Sequence, residues 1–320
     1  MKTEAGSASM QLPHECLLKA RLMSFRDDDG YQHHVRYWKP QRLHQGTVLF
    51  LHGIQSHGGW YGYSCQRLAE AGFEVVFPDR RGSGLNRQDR GHANSVKELQ
   101  RDLFAHLEFV RREFPLGEGT PLPPLFLGGI SWGGRLAVAT ALDWNRIAAK
   151  AKSPYTELAG LALLYPGIHS HFQPTRLQRL LLSIFARDIL GYAKRDIPTN
   201  TPEQFTRTPG FVKWLSNDRE MLRQASISFF RISQQLAERV SQLNLELKLP
   251  VLLMLADEDE IIDNDQTRFW FEALCVADKQ LISYPGTRHT LEFEPTRDQF
   301  IADLINWLRT HSPTNTKAVS

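Results

Sequence analysis

One short stretch restricts the possible folds of this chain more than any other. The apolar run 125–130 ends in Gly129-Ile-Ser131-Trp-Gly133, and a helix-forming, alanine-rich run follows directly. This pattern predicts a strand, a tight turn and a helix, with the serine at the turn. Glycines beside the serine leave room for strand and helix to meet, and the helix N-terminus supplies N–H groups and partial positive charge. Ser131 is therefore a candidate nucleophile for a carbonyl carbon. A chance match that marks only a tight connection is the alternative.

The rest of the chain alternates strand and helix patterns. A hairpin comes first, around the acidic turn 26–30, and several later runs are apolar throughout, as in strands buried on both faces. The predicted strands are residues 20–25, 32–38, 46–51, 73–78, 125–130, 158–165, 249–255 and 280–284. The predicted helices, besides the one after Ser131, are residues 62–71, 95–114, 265–275 and 297–308. This order predicts an α/β fold with a mostly parallel eight-stranded sheet and helices on both faces.

Three segments fall outside this alternation. Residues 1–18 are predicted to be a loose lead-in and residues 311–320 a polar tail. Residues 168–247 carry helical patterns but no clear strand. An apolar stripe at helical spacing lies there, with arginines between its members, which are Leu177, Leu180, Leu181, Ile184 and Phe185. This stripe could face an acyl chain or a bilayer surface as a lid, or pack onto the domain as ordinary core. The same two interpretations apply to Trp214, Met221, Ile227 and Phe229.

Composition limits the possible partners and compartment. The net charge of +3 implies no strong field for nucleic acid, and the arginine pairs 80–81 and 111–112 are expected to be solvated or to brace loops. Three cysteines, Cys16, Cys65 and Cys275, form neither a disulfide framework nor a thiol metal site. The start has no apolar signal region, and no run approaches the roughly 18 apolar residues of a membrane span. We expect a cytoplasmic protein that needs no metal or organic cofactor.

A serine nucleophile needs a base, and the base needs an orienting carboxylate. His289 follows the last predicted strand, and none of the other histidines follows a late strand at the right chain position. Five acids follow the strand before it, and Asp259 is favoured because the next residues, Ile261 and Ile262, would pin its loop to the core. Asp257 is the second candidate for this role, although Asp257, Glu258 and Glu260 could also be only loop charges. Asp263 is interpreted as a helix N-cap. Ser131, acid and His289 thus occur in the order of an α/β-hydrolase.

An oxyanion hole requires two N–H donors near the nucleophile. One is expected from Trp132, which follows the serine. The other is expected from the loop after strand 46–51, at Ile54. His52, in the same loop, is interpreted as a structural histidine that braces the turn, whereas His57 could line either the site or only the loop.

The chain resembles the monoacylglycerol lipase and lysophospholipase branch of the α/β-hydrolases. The resemblance covers about residues 20–310 and depends on five motifs in order: His52-Gly53 with His57 and Tyr61, Asp79–Gly84, Gly129–Gly134, Asp259–Ile262 and Tyr284–His289. It implies one α/β-hydrolase domain over residues 1–320 with a helical cap at about 168–247. It also implies Ser131, Asp259 and His289 as the triad and Ile54 and Trp132 as oxyanion donors. Ile130 and Trp132 depart from the branch, which usually has histidine and methionine beside the serine.

The function predicted on these grounds is hydrolysis of carboxylic esters, with monoacylglycerols, lysophospholipids or short acyl esters as small-molecule substrates. Amidase or aminopeptidase activity of the same residues is an alternative. It would need acidic cap residues such as Glu203 or Asp218 to hold a substrate amine. A non-catalytic binding protein is the third possibility, but it has no need for all three triad residues in this order.

Overall fold

Eight strands form the central sheet of the computed structural model, which describes residues 10–173, 175, 188–198 and 201–312. The strands of this sheet are β1 (Arg21–Arg26), β2 (Gln32–Trp38), β3 (Gly46–Leu51), β4 (Phe73–Pro78), β5 (Leu125–Ile130), β6 (Gly160–Leu164), β9 (Val251–Ala256) and β10 (Lys279–Tyr284). Their order is β1-β2-β4-β3-β5-β6-β9-β10, where β2 is antiparallel to both β1 and β4 and all other pairs are parallel. The predicted sheet is therefore confirmed: four strands have the predicted ends, and the ends of the other four are shifted by one or two residues.

Helices cover both faces of this sheet. Those flanking it are α2 (Gly62–Glu70), α3 (Val96–Glu113), α4 (Trp132–Ala151), α7 (Asn264–Glu272) and α8 (Arg297–Thr310). Alternate residues of β3 belong to different cores: Val48 and Phe50 pack with α2 and α8, and Leu49 and Leu51 with α3, α4 and α7. A strand buried on both faces has to be apolar throughout, which explains the continuous apolar runs of the sequence.

The segment between β6 and β9 contains helices α5 (Pro209–Asn217) and α6 (Ile227–Val240). It also contains two strands, β7 (Lys194–Asp196) and β8 (Gln224–Ser226), which pair antiparallel in a small separate sheet. The prediction that residues 168–247 hold no clear strand was therefore wrong. Three-residue strands are too short to show an alternating pattern in a sequence. The leucine stripe 177–185 lies outside the described residues.

The lead-in was predicted to be loose, but its described part is ordered. Residues Pro13–Cys16 form a short helix, α1, and Cys16 packs closely against Gly62 at the start of α2. Arg297 of α8 donates a hydrogen bond of 3.1 Å to the carbonyl oxygen of Gln11. None of the helices in the described ranges is both long enough and apolar enough to cross a membrane. The cytoplasmic location stays a prediction.

Candidate active site

The turn between β5 and α4 places Ser131 at the carboxyl edge of the sheet. Its backbone has φ 51° and ψ −124°, a strained conformation for a residue with a side chain. The neighbouring glycines make the turn possible, because a Cβ at Gly133 would overlap the carbonyl oxygen of Leu51 in β3. A Cβ at Gly129 would lie 2.6 Å from that of Ala137 in α4. The predicted strand, turn and helix are thus present, with the hydroxyl presented at the sheet edge.

A chain of hydrogen bonds joins Ser131 to His289 and Asp259. The Nε2 atom of His289 lies 2.9 Å from Oγ of Ser131, and its Nδ1 lies 2.7 Å from Oδ2 of Asp259. Both the histidine and the aspartate side chain are almost fully buried. The other oxygen of Asp259 accepts backbone N–H groups from Ile261 and Ile262 at 2.8 and 3.0 Å. Asp259 is therefore held in one orientation, and it holds the imidazole in turn.

The four other acids of this loop have different partners. Asp263 caps helix α7 by accepting the N–H of Gln266 at 3.0 Å, as predicted. The remaining three form ion pairs on the surface of the loop: Asp257 with Arg268, Glu258 with Arg207, and Glu260 with Arg288. Of the five candidates, the structure brings only Asp259 to the imidazole of His289.

The loop after β3 lies against the serine, as the expected second oxyanion donor requires. A Cβ at Gly53 would lie 3.2 Å from Cβ of Ser131, and Ile54 lines the same cavity as Ser131 and Trp132. Trp132 is the first residue of α4, where backbone N–H groups have no acceptor within the helix. Ile54 and Trp132 therefore border the same cavity as the nucleophile, and their role as oxyanion donors stays a prediction.

Arg80, in the turn after β4, holds the loop after β3 in place through hydrogen bonds to its backbone. Its guanidinium donates to the carbonyl oxygens of Gly53 and Ile54, both at 3.0 Å, and it stacks over the ring of Trp132. Burial lowers the pKa of Arg80 to about 9. Sequence reasoning expected a loop-bracing or solvated arginine here. It missed that the braced loop carries an expected oxyanion donor, although the turn sequence Asp-Arg-Arg-Gly after a buried strand was a visible signal.

His52 has the structural role that the sequence suggested. Its Nδ1 lies 2.7 Å from the carbonyl oxygen of Gly53, and its Nε2 accepts the backbone N–H of Arg80 at 2.8 Å. Burial, together with the nearby charge of Arg80, lowers the pKa of His52 to about 3. A neutral imidazole with hydrogen on Nδ1 satisfies both bonds, so His52 braces the turn.

A cavity of about 1050 Å³ opens beside Ser131 and His289. Its walls come from the sheet edge and from the segment between β6 and β9, and they are largely apolar. The apolar lining includes Ile54, Trp60, Trp132, Ile168, Phe205, Ile227, Phe230, Ile261 and Ile262. Of the four residues in the β6–β9 segment that had two open interpretations, Ile227 lines the cavity. Met221 and Phe229 are buried in the cores, and Trp214 packs against Trp60 and Phe293.

Comparisons with known proteins identify the family. The family model described as "Serine aminopeptidase, S33" matches residues 43–296. The chain belongs to this family. The monoglyceride lipase of Rattus norvegicus is 25% identical to this S33-family chain over 285 residues, 88% of each protein. Phospholipase YtpA of Bacillus subtilis (strain 168) is 23% identical over 262 residues, 82% of this chain and 93% of that protein.

Solved structures agree on the fold of this S33-family chain. A soluble variant of monoglyceride lipase from Saccharomyces cerevisiae, in complex with a substrate analog, matches with a TM-score of 0.75 at 19% identity, covering 96% of this chain and 98% of that one. The monoacylglycerol lipase of Paleococcus ferrophilus gives 0.72 at 24% identity, covering 88% and 99%. The prediction of an α/β-hydrolase of the monoacylglycerol lipase branch is confirmed, and so is the class of carboxylic ester hydrolase.

Two acids considered for binding a substrate amine do not line the cavity of this S33-family hydrolase. Glu203 is exposed outside it. The side chain of Asp218 is buried and accepts hydrogen bonds from His57 at 3.0 Å and from the indole N–H of Trp60 at 2.8 Å. His57, which could have lined either the site or only its loop, is outside the cavity lining and links the loop after β3 to the β6–β9 segment.

One group of side chains elsewhere in the described ranges has metal-ligand spacing: Asp27, His33 and Asp102. The guanidinium of Arg81 donates to Asp27 at 3.1 Å and to Asp102 at 2.8 and 2.9 Å. A cationic side chain is therefore already paired with both carboxylates. The cluster is an internal ion-pair network that joins the first hairpin to helix α3.

Proposed function

We propose that this protein hydrolyses carboxylic esters through Ser131, His289 and Asp259. The observation that carries the proposal is the continuous hydrogen-bonded chain from the Ser131 hydroxyl to the buried Asp259 carboxylate, at the wall of an apolar cavity. A nucleophile, a base within reach of its proton and an orienter for that base are the parts that acyl transfer requires.

The proposed reaction has two halves. Oγ of Ser131 attacks the ester carbonyl carbon while Nε2 of His289 takes its proton, and the N–H groups of Ile54 and Trp132 stabilise the oxyanion. Collapse of this intermediate breaks the ester bond, and the protonated His289 gives its proton to the leaving alcohol. Water then attacks the acyl-serine with the same histidine as base, which releases the acid and restores the hydroxyl.

Monoacylglycerols and lysophospholipids are the proposed substrates, with short acyl esters as further ones. The cavity is at the upper end of the range for small-molecule sites, and its apolar walls suit an acyl chain. Relatives that carry the names monoglyceride lipase and phospholipase support the same classes. We also propose that the β6–β9 segment, which supplies Ile227 and Phe230 to the cavity, acts as its cap.

A panel of p-nitrophenyl esters of increasing chain length, run beside aminoacyl anilides, tests this proposal. We expect ester turnover that Ser131→Ala abolishes, with kcat/KM rising as the acyl chain lengthens until the cavity is full, since burial of each CH₂ contributes about 0.8 kcal/mol. Anilide turnover without ester turnover would reject the proposal in favour of an amidase. Absence of turnover with either panel and with monoacylglycerols and lysophospholipids would favour a binding protein.

A further inference from the structure

Arg135 is a cation in the cavity wall without an acidic partner among the described residues. It is the fourth residue of the 20-residue helix α4, one turn after Trp132. Its Nε–H donates to the carbonyl oxygen of Gly167, and Nη1 donates to Oγ of Ser233 at 3.2 Å. Both Arg135 and Ser233 line the cavity beside Ser131.

This position is unfavourable for a side chain with only a structural role. Arg135 is partly buried, and this burial lowers its pKa to about 10, so its charge is less well solvated than that of a surface arginine. A cation near a helix N-terminus is also opposed by the helix dipole, which favours anions there. The two neutral acceptors engage two of the five N–H groups of a guanidinium, which leaves three without an acceptor in the described part of the chain.

Ser233 adds a further donor at the same place. Its oxygen accepts the indole N–H of Trp132 at 2.9 Å as well as the Arg135 N–H. With both bonds directed at the oxygen, the hydroxyl hydrogen is left to donate. The other charged side chains of the described lining are Arg195 and Glu238, and both are exposed. Glu238 accepts a hydrogen bond from Gln234 at 2.7 Å.

We propose that Arg135 and Ser233 bind an anionic group of the ester substrate, a carboxylate or a phosphate, and so make the enzyme prefer acidic over neutral esters. The planar guanidinium matches both anions with two parallel N–H donors, and the positive end of α4 adds to their attraction. The inference rests on the proposed function, because it concerns the substrate of that same site. It adds a specificity determinant to an otherwise apolar cavity.

The test compares acidic and neutral esters in two matched pairs. Mono-p-nitrophenyl adipate against p-nitrophenyl heptanoate places the anion in the acyl part. Monolauroylglycerol phosphate against monolauroylglycerol, both below their micelle concentrations, places it in the alcohol part. The measured quantity is the ratio of kcat/KM for the acidic ester to that for the neutral one, and the pair that responds identifies the source of the anion.

We expect the wild type to prefer the acidic ester in at least one pair, and Arg135→Gln to lower that ratio about 10- to 100-fold, the scale of a charge-assisted hydrogen bond. Arg135→Lys keeps the positive charge but loses the two parallel N–H donors of the guanidinium, so part of the preference for the acidic ester should remain. Arg146, exposed on the same helix and outside the cavity lining, provides the matched control, and Arg146→Gln should change the ratio by less than about twofold.

A folded Arg135→Gln protein with unchanged ratios in both pairs would overturn the inference, as would a wild type that prefers the neutral ester in both. Thermal unfolding shows whether the variant folds. If it does not, Arg135→Lys and Ser233→Ala must lower the ratio about threefold or more, the scale of one lost hydrogen bond, or the inference fails. If neutral esters are cleaved in a reaction that depends on Ser131, but acidic esters are not preferred, this inference is rejected and the proposed function is not. No Ser131-dependent ester cleavage at all would reject the proposed function.

Discussion

Two histidine–carboxylate pairs lie at the carboxyl edge of the sheet, and they differ in one respect that decides their chemistry. His289 pairs with Asp259 at 2.7 Å and His57 with Asp218 at 3.0 Å. All four side chains are at most 5% exposed. By distance and burial alone, either pair could be the base and orienter of a hydrolase.

The second ring nitrogen separates the two pairs. In His289 it lies 2.9 Å from the Ser131 hydroxyl in the cavity. In His57 it accepts the backbone N–H of Gly59 at 3.1 Å, so both nitrogens are engaged. A base must have a nitrogen free to take the proton of the nucleophile, and His57 does not. Partnership with a carboxylate is therefore weak evidence for catalysis unless the other nitrogen reaches a reacting group.

The largest expected effect comes from replacing the two histidines in parallel. We expect His289→Gln to lower kcat by roughly 10⁶-fold, because loss of the triad base costs about as much as loss of the whole triad. His57→Gln should lower kcat far less, since no proton passes through it. Equal losses of ester turnover in the two variants would contradict the assignment of His289 alone as the base.

The two carboxylates give the next largest difference. Asp259→Asn should lower kcat by about 10⁴-fold, because the amide favours the wrong tautomer of His289. Asp218→Asn should lower kcat less than about tenfold but reduce the midpoint of thermal unfolding, because it weakens a buried bond to His57. Parallel kinetics and melting curves on both variants measure this. A larger kinetic loss in the Asp218 variant would reverse the assignment.

The backbone of the β3 loop provides a third test, through Arg80. Lysine cannot bridge the carbonyl oxygens of Gly53 and Ile54 and the hydroxyl of Ser83 together. Arg80→Lys should therefore lower kcat by roughly 10-fold with little change in KM, less than the 10²- to 10³-fold loss of a whole oxyanion donor. Arg81→Lys is the matched control, because Arg81 pairs with Asp102 and Asp27 instead. It should affect stability and leave kcat nearly unchanged.

The smallest effect on turnover is expected at Glu292, a buried carboxyl without a histidine partner, where a replacement should change stability instead. It accepts N–H groups of Tyr63 and Ser64 at the start of α2, and burial raises its pKa from 4.5 to about 7. Between pH 4.5 and about 7, the folded state therefore keeps a proton on Glu292 that the unfolded state has released. Stability should fall as pH rises from about 4.5 to 7, by up to about 3 kcal/mol.

Denaturant unfolding at several pH values checks this expectation, and Glu292→Gln should flatten the decline of stability with pH.

The contribution of Asp218 to stability depends on pH with the opposite sign. Burial alone would raise its pKa, but the hydrogen bond from His57 prevails and lowers it, so its contribution is lost as pH falls below the ordinary aspartate range. A wild-type stability that rises between pH 4.5 and 7 and is unaffected by Glu292→Gln would contradict this account of Glu292.

The sequence predicted the parts of this site that depend on chain order. Buried strands are apolar throughout, and parallel strands end at one edge, so the sequence alone places Ser131, His289 and the acidic loop 257–263 together. The pairing of His57 with Asp218 could not be predicted from the sequence. It joins residues 161 positions apart, and Asp218 lies in a segment without strand periodicity. The environment of Arg135 could not be predicted either, since a helical arginine is usually solvated. That it has no acidic partner among the described residues is visible only in three dimensions.

Covalent labelling tests the central claim most directly. A fluorophosphonate reacts with a serine only when a neighbouring base activates the hydroxyl and the oxyanion is stabilised. We predict that the wild-type protein is labelled at Ser131, located by mass spectrometry of the digested protein, and that Ser131→Ala is not labelled. Labelling at another residue, or an unreactive wild-type protein, would contradict the proposed role of Ser131.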